Sequence, residues 1–259
     1  MKPSVLIERQ DSLAIVTLSN PEKMNALTLS MWQDLRDVMV ELSADDSLRC
    51  VILRGAGEQA FAAGADVGEF PSVRADASQA RIYADVTSAA MRAVSECPHP
   101  VVAMIHGVCV GGGLEIAALC DLRICGTSSR FGAPVGKLGL VMSYDEMAGL
   151  VALAGRSTTL EILLEGRILD AADAYVKQLV TRVVADAEVE AETLATARRI
   201  SAGAPLVARW HRQAARQLEA GAAPSVEQVQ ASYFCYDTED FQIGLNAFIK
   251  KARPQFKGK

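Results

Sequence analysis

Residues 107–115 read Gly-Val-Cys-Val-Gly-Gly-Gly-Leu-Glu, so three consecutive glycines run straight into an apolar, helix-forming stretch, 114–120. Glycine has no side chain, which leaves the backbone N–H groups of Gly111, Gly112 and Gly113 bare at a helix N-terminus. First-turn N–H groups lack intrahelical acceptors and the helix dipole is positive there, so a developing negative charge can be held. Earlier in the chain, residues 61–66 (Phe-Ala-Ala-Gly-Ala-Asp) form a second small-residue loop that can bring another N–H from the opposite side. Two converging amides make an oxyanion hole, and Glu115 falls in the first helical turn beside it. The chemistry on offer is proton transfer next to a carbonyl whose oxygen charge is held by backbone donors. Plainer readings compete. A glycine run also serves tight helix packing, and an acidic first-turn residue gains about 0.3–1 kcal/mol from the dipole whether or not it reacts.

Other chemistries have less support. The three histidines, His99, His106 and His211, lack the spacing of metal ligands, so no metal site is expected, and His106 at the end of an apolar run reads as structural. The six cysteines show no paired Cys-x-x-Cys spacing and lie mostly in apolar runs, as buried thiols of a reducing compartment do. No Gly-x-Ser-x-Gly elbow occurs for a nucleophilic serine. A net charge of −5 argues against a nucleic-acid surface. The basic cluster Lys250, Lys251, Arg253, Lys257 and Lys259 reads either as a solvated helix end or as a contact for a phosphorylated ligand.

The elements that must position these residues follow from periodicity. Half of the 259 residues are hydrophobic and 22% are charged, enough for a sizeable core. The longest apolar stretches are broken by charge or glycine before reaching a membrane-spanning length. The N-terminus lacks the apolar core of a secretion signal, which predicts a cytoplasmic protein. Residues 5–9 and 13–18 read as strands split by a turn, and Thr28 can cap a helix with Leu29, Trp32, Leu35, Met39 and Leu42 on one face. Residues 50–53, 101–105 and 122–125 read as buried strands, 74–96 and 114–120 as helices. This alternation predicts an α/β fold with parallel pairing, placed in residues 1–186. Beyond it, helices are expected at 187–203, 205–220, 225–236 and 240–251, making 187–259 a helical C-terminal subdomain that packs on the core or on another subunit.

The motifs together resemble the crotonase superfamily, the enoyl-CoA hydratase/isomerase family. Asn20-Pro21 with Asn25-Ala26-Leu27 is similar to its entry loop, residues 61–66 to its first oxyanion segment, and 100–115 to its second. Cys120-Asp121-Leu122 and Phe131-Gly132-Ala133-Pro134 keep the register. Gly166, Ala171, Ala174, Leu179 and Val180 fit a later helix-turn pattern. Gly244, Ala247, Phe248, Lys251, Arg253, Pro254 and Phe256 fit the C-terminal signature. The likeness runs from about residue 5 to the end.

The resemblance implies a spiral of ββα units whose C-terminal helices build a homotrimer or a dimer of trimers and cover the active site. It implies an acyl-CoA thioester substrate, with coenzyme A entering as part of the substrate and no separate cofactor. It places the oxyanion donors at Ala65 and Gly112 and the general acid/base at Glu115. Ala63, Asp66, Val67 and Gly68 would then line the acyl-CoA pocket, with Asn25 and Ala26 near the nucleotide. Removing the acidic α-proton of a thioester yields an enolate, and a preorganised donor on its oxygen supplies about 3–4 kcal/mol in comparable sites.

The chain also departs from the pattern. Family hydratases carry a second glutamate right after the Phe-Gly-x-Pro segment, where this chain has Val135. Their glycine-rich loop ending in Thr-Gln-Arg is replaced by residues 143–149, Ser-Tyr-Asp-Glu-Met-Ala-Gly, and a position often held by lysine is Gly68. Water addition uses one group for the water and one for the α-proton, so Val135 argues against ordinary hydration. Double-bond isomerisation by Glu115 is the leading expectation. The alternatives are hydration with Asp145 or Glu146 as the second carboxylate, decarboxylation or C–C cleavage of a CoA thioester, and a non-catalytic acyl-CoA-binding homologue. Tyr144 is a further possible participant.

Overall fold

A computed structural model describes residues 2–259. The chain opens with an antiparallel hairpin, β1 (Ser4–Gln10) and β2 (Leu13–Ser19), closed at Asp11 in a left-handed conformation with φ 53°. Helix α1 (Leu29–Ser43) follows, with the Thr28 hydroxyl accepting the Met31 N–H at 3.2 Å. Its buried face is Met31, Trp32, Leu35, Met39 and Leu42, a stripe at helical spacing.

Three strand–strand–helix units then repeat. The first comprises β3 (Cys50–Gly55), β4 (Ala60–Ala62), the short α2 (Phe70–Val73) and α3 (Ala77–Glu96). The second comprises β5 (Val101–Ile105), β6 (Val108–Val110) and α4 (Gly112–Ala118). The third comprises β7 (Leu122–Gly126), β8 (Arg130–Gly132) and α5 (Tyr144–Glu165). In each unit the first strand enters a six-stranded sheet of order β1-β2-β3-β5-β7-β10, parallel apart from the hairpin. The second strand enters a four-stranded sheet of order β4-β6-β8-β9. The chain continues through β9 (Leu169–Asp170), α6 (Ala171–Val176) and β10 (Arg182–Val184). Four helices end it: α7 (Val189–Ser201), α8 (Pro205–Glu219), α9 (Val226–Ala231) and α10 (Glu239–Ile249).

One face of the large sheet packs on α1, α3 and α4 through residues such as Val51, Leu53, Ala103 and Ile105. The other face presents Leu13, Ile15, Ile52, Val102 and Ile124 to Val189 and Ala197 of α7. The helical stretch after residue 186 therefore begins by covering the sheet's second face.

The fold class is the expected one, and the small sheet is the main addition. Its strands are three residues or fewer, too short to show a periodicity. The helix expected from residue 74 starts at Ala77, because the Asp76 carboxylate accepts the Ser78 and Gln79 N–H groups and caps it there. Residues 232–237 turn as a 3₁₀ segment in place of one continuous helix over 225–236. By length and composition α5 could cross a bilayer, but it is broken at Gly155 (φ 74°, ψ 167°) and carries Glu146, Arg156 and Glu161.

Candidate active site

The first small-residue loop is anchored by a preceding segment, 20–28. The Asn25 carboxamide is fully used inside the protein: Oδ1 accepts the Asn20 N–H at 3.1 Å, and Nδ2 donates to Ala56 O at 3.0 Å and Ala60 O at 2.7 Å. Met24 O accepts the Ala63 N–H at 3.0 Å. Leu27 donates to Gly64 O at 2.7 Å and accepts the Asp66 N–H at 2.8 Å, forming a parallel bridge with Ala65. In that pattern Gly64 O and the Asp66 N–H face Leu27, so the Ala65 N–H turns away from Leu27.

The glycine run closes on this loop. Gly111 adopts φ 50°, ψ −125°, a conformation open to glycine but strained for other residues, and its N–H donates to Gly132 O at 2.8 Å. The turn delivers Gly112 as the first residue of α4, where its N–H has no intrahelical acceptor. A Cβ on Gly64 would sit 3.7 Å from Gly112 N, which measures how closely the loops abut. Side chains are excluded on the helix side too: a Cβ on Gly112 would lie 2.8 Å from the Trp32 ring, and one on Gly113 2.4 Å from Ala62 O.

Ala63, Ala65, Val67, Gly112 and Glu115 line one cavity of about 140 Å³. Larger clefts of about 600 Å³ lie elsewhere, but none is lined by these backbone donors. Asn25, Ala26, Asp66 and Gly68 do not line the cavity. The Asn25 side-chain hydrogen bonds join the 20–25 segment to Ala56 and Ala60. Asp66 is likewise occupied, accepting the Gly68 N–H at 3.1 Å and pairing with Lys23 Nζ at 2.6 Å.

Glu115 is buried among apolar groups, and this desolvation pushes its carboxyl up to about 8, with the nearby Glu146 adding to the rise and Arg74 opposing it. At neutral pH the group is mainly a neutral acid. Glu146 lines the same cavity from the first turn of α5. It belongs to a capping box: its Oε2 accepts the Ser143 N–H at 2.7 Å while its own N–H donates to Ser143 Oγ at 3.3 Å. Tyr144 (93% exposed) and Asp145 face solvent. Val135, at the position where the family resemblance puts a second glutamate in hydratases, is in the cavity wall.

The remaining wall escaped the sequence reading. Trp32, Phe70, Arg74, Tyr83 and Met142 all reach the cavity. Trp32 shows in the sequence only as a position on the apolar face of α1 and Tyr83 only within the helix expected over 74–96, and nothing in a helical stripe distinguishes a residue facing a cavity from one facing a neighbour. Among the described residues no group of three His, Cys, Asp or Glu side chains could hold a metal ion.

Known proteins match this chain over nearly its whole length. A family model described as enoyl-CoA hydratase/isomerase matches residues 8–259. A probable enoyl-CoA hydratase of Mycobacterium bovis is 33% identical over 256 residues, covering 98% of this chain and 97% of that one. A crotonyl-CoA hydratase of Syntrophomonas wolfei is 28% identical over 259 residues, covering 99% and 98%. The crystal structure of an enoyl-CoA hydratase/carnithine racemase from Magnetospirillum magneticum superposes with a TM-score of 0.97 at 47% identity, covering 98% and 96%. The chain belongs to the enoyl-CoA hydratase/isomerase family and has its crotonase fold.

Proposed function

Within that family, we propose that the protein hydrates the 2,3-double bond of an enoyl-CoA thioester, with Glu115 and Glu146 as its two proton-handling groups. The observation that carries this reading is that Glu146, from the segment that replaces the family's usual loop, lines the same cavity as Glu115. The second carboxylate missing at Val135 is thereby supplied from another element. The names of the relatives, hydratases among them, agree with the coarser assignment.

In this mechanism the thioester oxygen accepts the Ala65 and Gly112 N–H groups, which stabilise the enolate that forms as water adds at C3. Glu146 takes a proton from the attacking water, and its cap bond to Ser143 holds it in place while its other oxygen makes no hydrogen bond among the described residues. Glu115, held in its acid form by burial, gives its proton to C2. Transfer of a proton from Glu146 back to Glu115 through water resets the pair. Exposed apolar side chains on the last helices, including Val226, Phe234, Phe248 and Ile249, support the proposal that these helices build a homotrimer or a dimer of trimers.

A second reading, isomerisation by Glu115 alone, is favoured by the cap bond that ties up one Glu146 oxygen and by the apolar Val135 wall. The two readings need opposite forms of Glu115. Hydration with Glu115 as the acid falls as pH rises through about 8, whereas base-catalysed isomerisation rises over the same range. Crotonyl-CoA hydration and 3-enoyl-CoA isomerisation are to be followed from pH 6 to 9.5. Glu115→Gln is expected to lower hydration by about a hundredfold or more. Glu146→Gln is expected to lower hydration far more than exchange of the α-proton into deuterated water. Hydration untouched by Glu146→Gln would sink the two-carboxylate mechanism, and 3-enoyl-CoA isomerisation with no crotonyl-CoA hydration in the wild type would favour the isomerase reading.

A further inference from the structure

The cavity that holds Glu115 and Glu146 also holds a guanidinium with no carboxylate of its own. Arg74, just after α2, lines the cavity and lies 5.3 Å from the centroid of the Phe70 ring and 5.0 Å from that of Tyr83. The two rings stand edge to face at 6.3 Å. Among the described residues the Arg74 guanidinium makes no ion pair and no hydrogen bond. It is also the only cationic side chain among the described residues lining the cavity.

From this arrangement we infer that the acyl group accepted here ends in a carboxylate, which pairs with Arg74: the substrates are short enoyl-CoA thioesters of dicarboxylic acids. The inference rests on the enoyl-CoA reading of the same cavity and narrows it to a substrate class. Aromatic rings engage a guanidinium by its face, so its edge, with the N–H donors in a fixed fork, stays available for bidentate contact with a carboxylate. The wall around it is apolar, with Trp32, Val67, Val110, Leu140 and Met142, so a hydrocarbon chain would leave those donors against nonpolar atoms. With Glu115 in its acid form, Glu146 is the carboxyl on this wall that would oppose an acidic acyl group, and a cation is what makes such a group acceptable. At about 140 Å³ the cavity is well below the ~300–1,000 Å³ of sites for drug-sized ligands, which selects a short chain.

Arg74 also opposes the rise of the Glu115 pKa, so a loss of rate alone would not separate recognition from tuning. The informative quantity is the ratio between two ligands that differ only at the chain end. Calorimetry with the saturated thioesters glutaryl-CoA and butyryl-CoA reads recognition without turnover, and glutaconyl-CoA against crotonyl-CoA reads it in kcat/KM. The wild type is expected to favour the carboxylate-ended partner by about ten- to hundredfold, the range of a hydrogen-bonded charge pair. Arg74→Met is expected to bring the ratio to about one or below, with Arg74→Lys in between. A wild-type ratio of one or less, or a ratio unchanged in Arg74→Met, would overturn the inference while leaving the enoyl-CoA reading intact. Failure to bind either saturated thioester overturns it as well. If no enoyl-CoA is turned over but glutaryl-CoA keeps its advantage in the wild type and loses it in Arg74→Met, hydration fails and carboxylate recognition stands.

Discussion

The cavity has two halves that are made differently. Residues 61–66 and 107–115 form a floor of backbone, in which Gly64 and Gly111 sit at φ 93° and φ 50° and neighbouring loops are tied by main-chain hydrogen bonds of 2.7–3.0 Å. Residues 67–87 and 135–147 form a lid of side chains, with Phe70, Arg74 and Tyr83 from one segment and Val135, Met142 and Glu146 from the other. In the proposed mechanism the floor offers backbone N–H groups and the Glu115 carboxyl, which suit any thioester carbonyl. The lid offers charge, shape and a second carboxylate, so under the proposed function it is the half that sets which acyl group enters and what happens to it. A change in the floor should therefore damage turnover of every substrate, and a change in the lid should alter preference.

The sharpest way to break this contrast is Gly113→Ala. The new Cβ would meet Ala62 O at 2.4 Å and Ala62 Cβ at 2.9 Å, backbone and a short side chain that cannot swing aside. Overpacking of this kind costs about 1–3 kcal/mol, and the displaced loop carries Ala65. Denaturant unfolding should show that loss, and kcat/KM should fall by at least about a hundredfold for all acyl-CoAs tested, since one oxyanion donor alone is worth that much. Preserved turnover would show that the floor is less rigid than its hydrogen bonds imply.

A smaller effect connects the halves through pH. Burial raises the Glu115 pKa above its ordinary value of about 4.5 to about 8, so the folded protein keeps a proton that the unfolded chain has released. Its contribution to stability is complete below the unfolded value and is lost as pH rises to about 8. Glu115→Gln should remove that slope, so its Tm relative to the wild type should be higher at pH 9 than at pH 5. Parallel Tm-against-pH curves for the two proteins would place Glu115 in a more solvated setting.

The smallest effect tests the lid alone. Asp76→Ala removes the cap of α3, at a cost of about 1 kcal/mol in denaturant unfolding. Because α3 carries Tyr83 and Thr87 into the cavity, the ratio of rates between acyl chains should shift a few-fold, more than the rate on the best substrate changes. Equal change on all chains would count against the lid as the seat of preference.

The floor was readable in the residues because its requirement is local: a position where backbone must approach backbone has to be glycine or alanine, and residues 61–66 and 107–115 show that. Asn25 was read as near the nucleotide; the structure adds that its side chain joins Asn20 to Ala56 and Ala60 just before the first floor loop, a role visible only when Ala56 and Ala60 are seen beside it. The lid was hard to read for a related reason. Phe70, Arg74 and Tyr83 come from the first unit and Met142 and Glu146 from the third, and no spacing along the chain links them. Of the three candidates in the replacement segment, only Glu146 reaches the cavity, because the Ser143 cap sets the start of α5 and a helix places one residue in three or four on a given face.

What the sequence determined alone is the α/β alternation, the cap at Thr28 and the side-chain-free backbone of the glycine run. Each of these is a property of residues close together in the chain. The fold decided the rest: that the Ala65 and Gly112 loops abut, that Glu115 is buried deeply enough to hold its proton, and that Arg74 and Glu146 share its cavity. Burial and electrostatics depend on distance through space, and three repeated units fold segments far apart in the chain around one small volume.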